Sequence, residues 1–545
     1  MPSSDRRTRT PNHALRALLR ETEWTQEAFA RAIAALGAEA GVHLRYDRTS
    51  VAQWLRGSRP APRVRLLMAE ALSRKLGRPV AVAELGMGDS PQRRGARSAH
   101  PADRVAALTR PVVGPPRAAQ PPAAPYQLTL LTRPRHPRAG SGAGPGTGPG
   151  SGSGAGSTPG PGSGSSSGSG PNSGPAPGSP PAHGAQGAQC GTAPRAGSPA
   201  PGAPGAPGAP SPAVPQLRPP GPAPASAATP RPTHTVRRTS PDEVASVREH
   251  VRFFAQQADR HGGGHIRTPL AAYLSGLVRR LRTGGDGPHH AQLLAGAARL
   301  SYLLARVYAD EQRHGLAQRA FLTAAELAEE GGDPEGVALA RRALSTQAHQ
   351  LGHAAHSLAL AESACEAAPS GAEPSARAFL YAGLAVAQAA GGERDRAVRT
   401  LGRAEHELAR APADLTSGPE SPNGEPVGAY QDAALLYQAG KVRAELGDRA
   451  GAIGELRSSL RQRPEGERRS RALSHAELAE LLLASGELEE ACTAWQVFLE
   501  DCSLVRSGRA RRARDRMPRL LRPYAGEHCV QALLLRFPVR GTDAR

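Results

Sequence analysis

The sequence predicts an all-α protein in three parts, and three observations carry that expectation. Residues 1–89 contain four short stretches in which apolar side chains recur every three to four positions behind capping residues. Residues 90–240 are dominated by Gly, Pro, Ser and Ala. Residues 241–545 are alanine-rich, with glycine-containing turns at a near-constant interval. The expected organisation is a compact helical domain (1–89), a long disordered linker (90–240) and a helical array (241–545).

The first part is read helix by helix. Asn12 caps a helix whose Leu15, Leu18 and Leu19 share one face. Thr25 caps a second, QEAFARAIAAL, with Phe29, Ala30 and Ile33 inward. Asp47 or Thr49 caps a third, in which Val51, Trp54 and Leu55 form an i, i+3, i+4 stripe and Gly57 makes the stop. Past Pro62, VRLLMAEALSRKLG forms a fourth.

Four short helices, with a Thr-Gln start on the second and a W-x-x-G end on the third, resemble the Cro/phage-repressor class of helix-turn-helix domains. The resemblance implies that Thr25 and Gln26 anchor the second helix on phosphate, and that small Ala30 admits the third helix closely. It implies that Arg48, Thr49 and Gln53 meet base edges of double-stranded DNA. Arg56, Arg59 and Arg63 then fall where that class touches phosphates. One departure stands out. The class joins helices two and three by a short turn, whereas ALGAEAGVHLRY (35–46) intervenes here. Either the second helix is longer or the turn holds a loop.

Charge agrees with a polyanionic partner. The formal net charge is +20, and it is uneven. Residues 1–90 carry 15 basic against 9 acidic side chains, residues 91–240 carry 14 against 1, and the remainder 39 against 38. The basic character belongs to the first 240 residues, and nucleic acid is the commonest partner of such a segment.

The linker contains GSGAGPGTGPGSGSGAGSTPGPGSGSSSGSG (140–170) and PGAPGAPGAPSPAVP (201–215). Such segments cannot bury enough apolar surface to offset the entropy of ordering. The expected state is a flexible tether, stiffened by proline in places. The apolar island YQLTLL (126–131) reads either as a short docking segment or, the commoner case for so short a run, as having no significance.

The array is read from its turns. Gly315, Gly352, Gly392, Gly447 and Gly486 are each followed five residues later by a small residue: Ala320, Ser357, Ala397, Ala452 and Ala491. The steps are 37, 40, 55 and 39, and the long one contains PADLTSGPESPNGEPVG (412–428), which reads as a loop insertion. Glycine ends one helix tightly, and the small residue lets the next pack closely. Pro369 and Pro464, each 17 residues after their glycine, close the pair. The pattern resembles the tetratricopeptide repeat, best over Gly447–Pro464. That family implies a concave surface for a peptide or protein ligand.

The whole arrangement, with NHALRALLRETEWTQEAFARAI and RYDRTSVAQWLRG ahead of linker and repeats, is similar to streptomycete regulators of sporulation and antibiotic production. It implies a sequence-specific transcription regulator, often a repressor. The alternative is a non-enzymatic interaction scaffold whose first domain does not read DNA sequence. A homodimer is compatible with either, since one isolated domain of this kind reads few base pairs.

Other classes have little support. There is no H-E-x-x-H, no G-x-S-x-G and no P-loop, so neither an enzyme nor a cofactor is expected. HGGGH (261–265) reads as a glycine turn rather than a ligand pair, and no metal is expected. His353, His356 and Glu362 read as the polar face of a repeat helix. RSGRARRARDRM (506–517) reads as a solvated face. Five scattered cysteines without a C-x-x-C pair suggest reduced thiols, with Cys492 and Cys502 as buried small hydrophobes rather than a redox pair. No secretory signal and no 18-residue apolar run is found, so the expected location is the cytoplasm, at the nucleoid when DNA is bound.

Overall fold

The computed structural model describes residues 10–87, 100–113, 124–131, 238–283, 287–411 and 431–537. Every regular element among them is helical.

The N-terminal domain, or head, comprises α1 (His13–Glu21), α2 (Gln26–Glu39), α3 (Arg48–Leu55) and α4 (Pro62–Leu76), closed by a short 3-10 turn, Val82–Leu85. Leu15, Phe29, Ile33, Val51, Leu67 and Leu72 form a fully buried centre. Asn12 ties it together at one point. Its Oδ1 accepts from the Leu15 N–H at 2.9 Å, and its Nδ2 donates to the Leu85 carbonyl at 2.8 Å.

The long connection turns out to be both a longer helix and a loop. α2 runs to Glu39 and stops at Gly41, whose φ of 70° is left-handed. The Val42 N–H reaches back to the Gly37 carbonyl and the Gly41 N–H to Ala38, a double closure that satisfies the last free carbonyls. The chain then runs to Asp47 with Leu44 lying on Gly37 and Tyr46 edge-on to Trp54 at 5.1 Å. The connection is thereby packed against the head at two points.

The array opens with α6 (Pro241–His261) and α7 (Gly263–Thr283). Five antiparallel pairs follow: α8 (Pro288–Asp310) with α9 (His314–Glu330), α10 (Pro334–Gln350) with α11 (Ala354–Ala367), and α12 (Pro374–Ala390) with α13 (Arg394–Ala409). The last two are α14 (Asp432–Glu445) with α15 (Arg449–Gln462), and α16 (Arg468–Ala484) with α17 (Leu488–Leu504). α18 (Gly508–Leu521) and α19 (His528–Arg536) close the chain. The loop read at 412–428 lies outside the described residues. No helix among the described residues is long and apolar enough to cross a membrane.

Four of the five repeat glycines sit as expected. Gly352, Gly392, Gly447 and Gly486 have φ between 79° and 86°, and Ser357, Ala397, Ala452 and Ala491 are buried between paired helices. Gly315 does not. It lies inside α9, and the left-handed turn position of its pair is Gln312, at φ 63°. The small residue five positions on is then Ala317, fully buried, although Ala320 is buried as well. The register of the first repeat is three residues earlier than glycine spacing suggests.

Two pieces of the stretch expected to be disordered are ordered. α5 (Pro101–Val113) packs on α7, with Leu108 accepting a hydrogen bond from the Tyr308 hydroxyl. Residues 124–131, the YQLTLL island and its two predecessors, cross the start of α9 as a strap. The rest of 90–240, apart from His100 and 238–240, lies outside the described residues.

The two ends of the array meet. The Arg506 N–H donates to the His261 carbonyl and the Arg506 carbonyl accepts from the Gly264 N–H, at 2.8 and 3.0 Å. A Cβ on Gly262 or Gly264 would press on Arg506, so HGGGH is the seat for the returning chain. Buried Asp310, at the end of α8, accepts from Arg469 of α16 at 2.7 Å and from Ser507 at 2.8 Å.

Candidate nucleic-acid interface

α3 is built to project its first residues. Asp47 is its N-cap, accepting from the Ser50 N–H and hydroxyl, each at 2.8 Å. The Ser50 hydrogen bonds hold the Asp47 carboxyl below its ordinary range. Val51, Trp54 and Leu55 bury the inner face. Arg48, Thr49 and Gln53 remain on the outer one, exposed in the assembled chain. The helix ends at Gly57, φ 98°, with the Ser58 N–H closing on the Gln53 carbonyl.

The phosphate candidates divide. Arg56 and Arg59 are exposed and, with Arg45 and Arg48, make no hydrogen bond or ion pair to a described residue. Arg63 is half-buried instead. Its Nη2 donates to the Ala40 carbonyl at 3.2 Å, and burial lowers its pKa. It braces the end of α2 against α4. Thr25 caps α2 by accepting from the Ala28 N–H at 3.1 Å, so its hydroxyl proton stays available as a donor. Gln26 is partly exposed beside it.

Apart from the capping Asp47, four carboxylates of the head are paired with arginines outside α3. Arg74 pairs with Glu39 and Glu70, and Arg78 with Glu21 and Glu84. Burial works against the Arg74 charge, yet Glu39 and Glu70 raise its pKa overall. Four carboxylates are thus matched by two arginines away from α3, and the cations around α3 keep their charge unmatched.

Glu70 also joins head to array. Its buried Oε1 accepts from Arg74 Nε at 2.9 Å and from His353 Nε2 at 3.0 Å, and its Oε2 from the Leu128 N–H at 3.3 Å. His353 is therefore buried in a joint rather than on the polar face of a repeat helix, because at the N-cap of α11 its ring is enclosed by the Glu70 carboxylate and Tyr126. His356 is half-buried beside it. Tyr126 stacks on the His353 ring at 5.6 Å, and burial raises its pKa. Nearby, burial pushes His314 down to about 4.

This joint went unread in the sequence. Its one legible signal is Glu70 itself, a carboxylate inside the apolar run LLMAEALS. Among the described residues no group of three His, Cys, Asp or Glu is arranged to hold a metal ion. Cys492 lies beside Cys529 rather than Cys502, and burial pushes its thiol up to about 12.

Comparison with known proteins covers the head. The family described as the SP15 N-terminal domain matches residues 15–88. No curated protein matches the chain.

Proposed function

We propose that the chain is a sequence-specific DNA-binding transcription regulator whose head reads the major groove with α3. The observation that supports this best is the separation of charge on the head. Arg45, Arg48, Arg56 and Arg59 are exposed at the two ends of one short helix without an ion pair to a described residue, while Arg74 and Arg78 are neutralised by Glu39, Glu70, Glu21 and Glu84. Base-reading side chains need to be free of internal partners, and phosphate contacts need uncompensated cations. Arg48 offers a bidentate fork to guanine and Gln53 an amide to adenine. Thr49, Thr25 and Gln26 extend the contact to bases and phosphates. The array acts as the sensor or interaction domain. By its resemblance to streptomycete regulators, the process controlled is development or secondary metabolism, most often by repression.

The test is genome-wide mapping of bound sites, followed by binding of the full chain to a recovered site. Arg48→Ala and Gln53→Ala each lower discrimination at one base pair by about 1–3 kcal/mol. Arg59→Ala weakens binding to all sequences alike and reduces the salt slope by about one. The second reading, a scaffold that does not read sequence, has the buried Glu70–His353 joint in its favour, since it makes the head a protein-binding surface. Binding without a preferred site and lost steeply with salt would select it.

A further inference from the structure

The strap is held as a peptide is held by a receptor. Gln318, fully buried on α9, brackets the backbone of Gln127: its Oε1 accepts from the Gln127 N–H at 3.0 Å and its Nε2 donates to the Gln127 carbonyl at 2.8 Å. That contact reads main chain and is indifferent to the side chain it passes. Specificity comes from the flanking residues. Tyr126 is buried flat on the His353 ring, and Leu128 is buried with Leu351.

The seat is shaped for this occupant. A Cβ on Gly315 would lie 2.0 Å from the Ala124 carbonyl oxygen and 2.6 Å from the Pro125 carbonyl carbon. Glycine inside a helix is disfavoured relative to alanine, and here the strap requires it. The fit is also incomplete. The Tyr126 hydroxyl and His353 Nδ1 are buried without hydrogen-bond partners among the described residues. Such a contact is specific without being optimised for permanence.

We propose that the surface formed by Gly315, Gln318, Leu351 and His353 is a binding site for a Pro-aromatic-x-aliphatic peptide segment. It is filled in the isolated chain by residues 124–131, and it takes the strap of a second copy when two chains meet. The head, α5 and the strap are joined to α6 only through residues 132–237. That length is ample for exchange: a tenth of its extended span, at about 3.3 Å per residue, already covers roughly 35 Å. The inference concerns the array and stands whether or not the head reads DNA.

Two full-length variants test it. Tyr126→Ala with Leu128→Ala gives a chain with an open seat and a disabled strap. Gly315→Ala gives a blocked seat and a free strap, with α9 retained because alanine is the better helix former. A labelled synthetic peptide of residues 124–131 should bind the open-seat chain at least about tenfold more tightly than wild type, whose own strap competes at high effective concentration. Gln318→Ala added to that chain should abolish the binding. The open-seat and blocked-seat chains, each monomeric alone, should form a one-to-one complex when mixed. Failure of the folded open-seat chain to take up the peptide overturns the site. Peptide uptake without a mixed complex overturns the exchange between copies.

Discussion

Glu70 concentrates the consequences at the scale of single residues. Its carboxylate accepts from Arg74, His353 and the Leu128 N–H, and the last two depend on it alone among the described residues. Glu70→Ala leaves a buried imidazole and a backbone N–H without their acceptor, and leaves the Arg74 guanidinium with Glu39 alone. The expected cost is about 3 kcal/mol, read as a lower denaturation midpoint. Tyr126→Phe has the opposite sign. Removing a buried hydroxyl that has no partner should leave stability unchanged or raise it by about 1 kcal/mol in the same assay. His314 sets a pH dependence. Burial, opposed by Glu39 and reinforced by Arg74, Arg512 and Arg509, holds its pKa near 4 against 6.5 for an unperturbed imidazole. Between those values the unfolded chain binds the proton and the folded chain does not. Its contribution is therefore complete above about pH 6.5 and lost as pH falls towards 4. His314→Gln should flatten the stability profile in that window.

At the scale of elements, caps and turns were legible where local chemistry decides them. Asn12, Thr25, Asp47 and the Gly57 stop are short-range features, and each sits where side-chain chemistry puts it. Asn12 also bonds Leu85, a contact 73 residues away, so Asn12→Ala should cost about 2 kcal/mol. Tryptophan fluorescence during chemical denaturation would measure it, through Trp24 and Trp54. The four repeat glycines at positive φ were legible for the same reason. Gly315 misled because a glycine can mark a tight turn or a close approach, and spacing cannot tell the two apart. The strap and α5 are not legible in the sequence because they lie within a stretch dominated by Gly, Pro, Ser and Ala, where a short apolar pattern carries little weight. Of the candidate interface, the exposed side chains of α3 follow from its period. The bracing role of Arg63 depends on the Ala40 carbonyl, which only the folded connection brings near.

At the scale of the molecule, the described array differs from an open solenoid in that its ends meet, at Gly262–Gly264 and Arg506. Asp310 holds that meeting by accepting from Arg469 and Ser507. Asp310→Ala should loosen it, seen as a larger radius of gyration in small-angle scattering and as separate unfolding transitions for the two halves. Closure also has a direction in time. A chain leaving the ribosome exposes the HGGGH seat more than 200 residues before Arg506 is made to fill it. Each helix pair can form as it emerges, since its contacts are local, but the junction of the ends waits for Arg506 and closes a loop of about 245 residues. A nascent chain stalled anywhere in that interval holds its repeats with the ring still open. Commitment of the array to its final shape therefore follows the synthesis of Arg506 and not that of the seat.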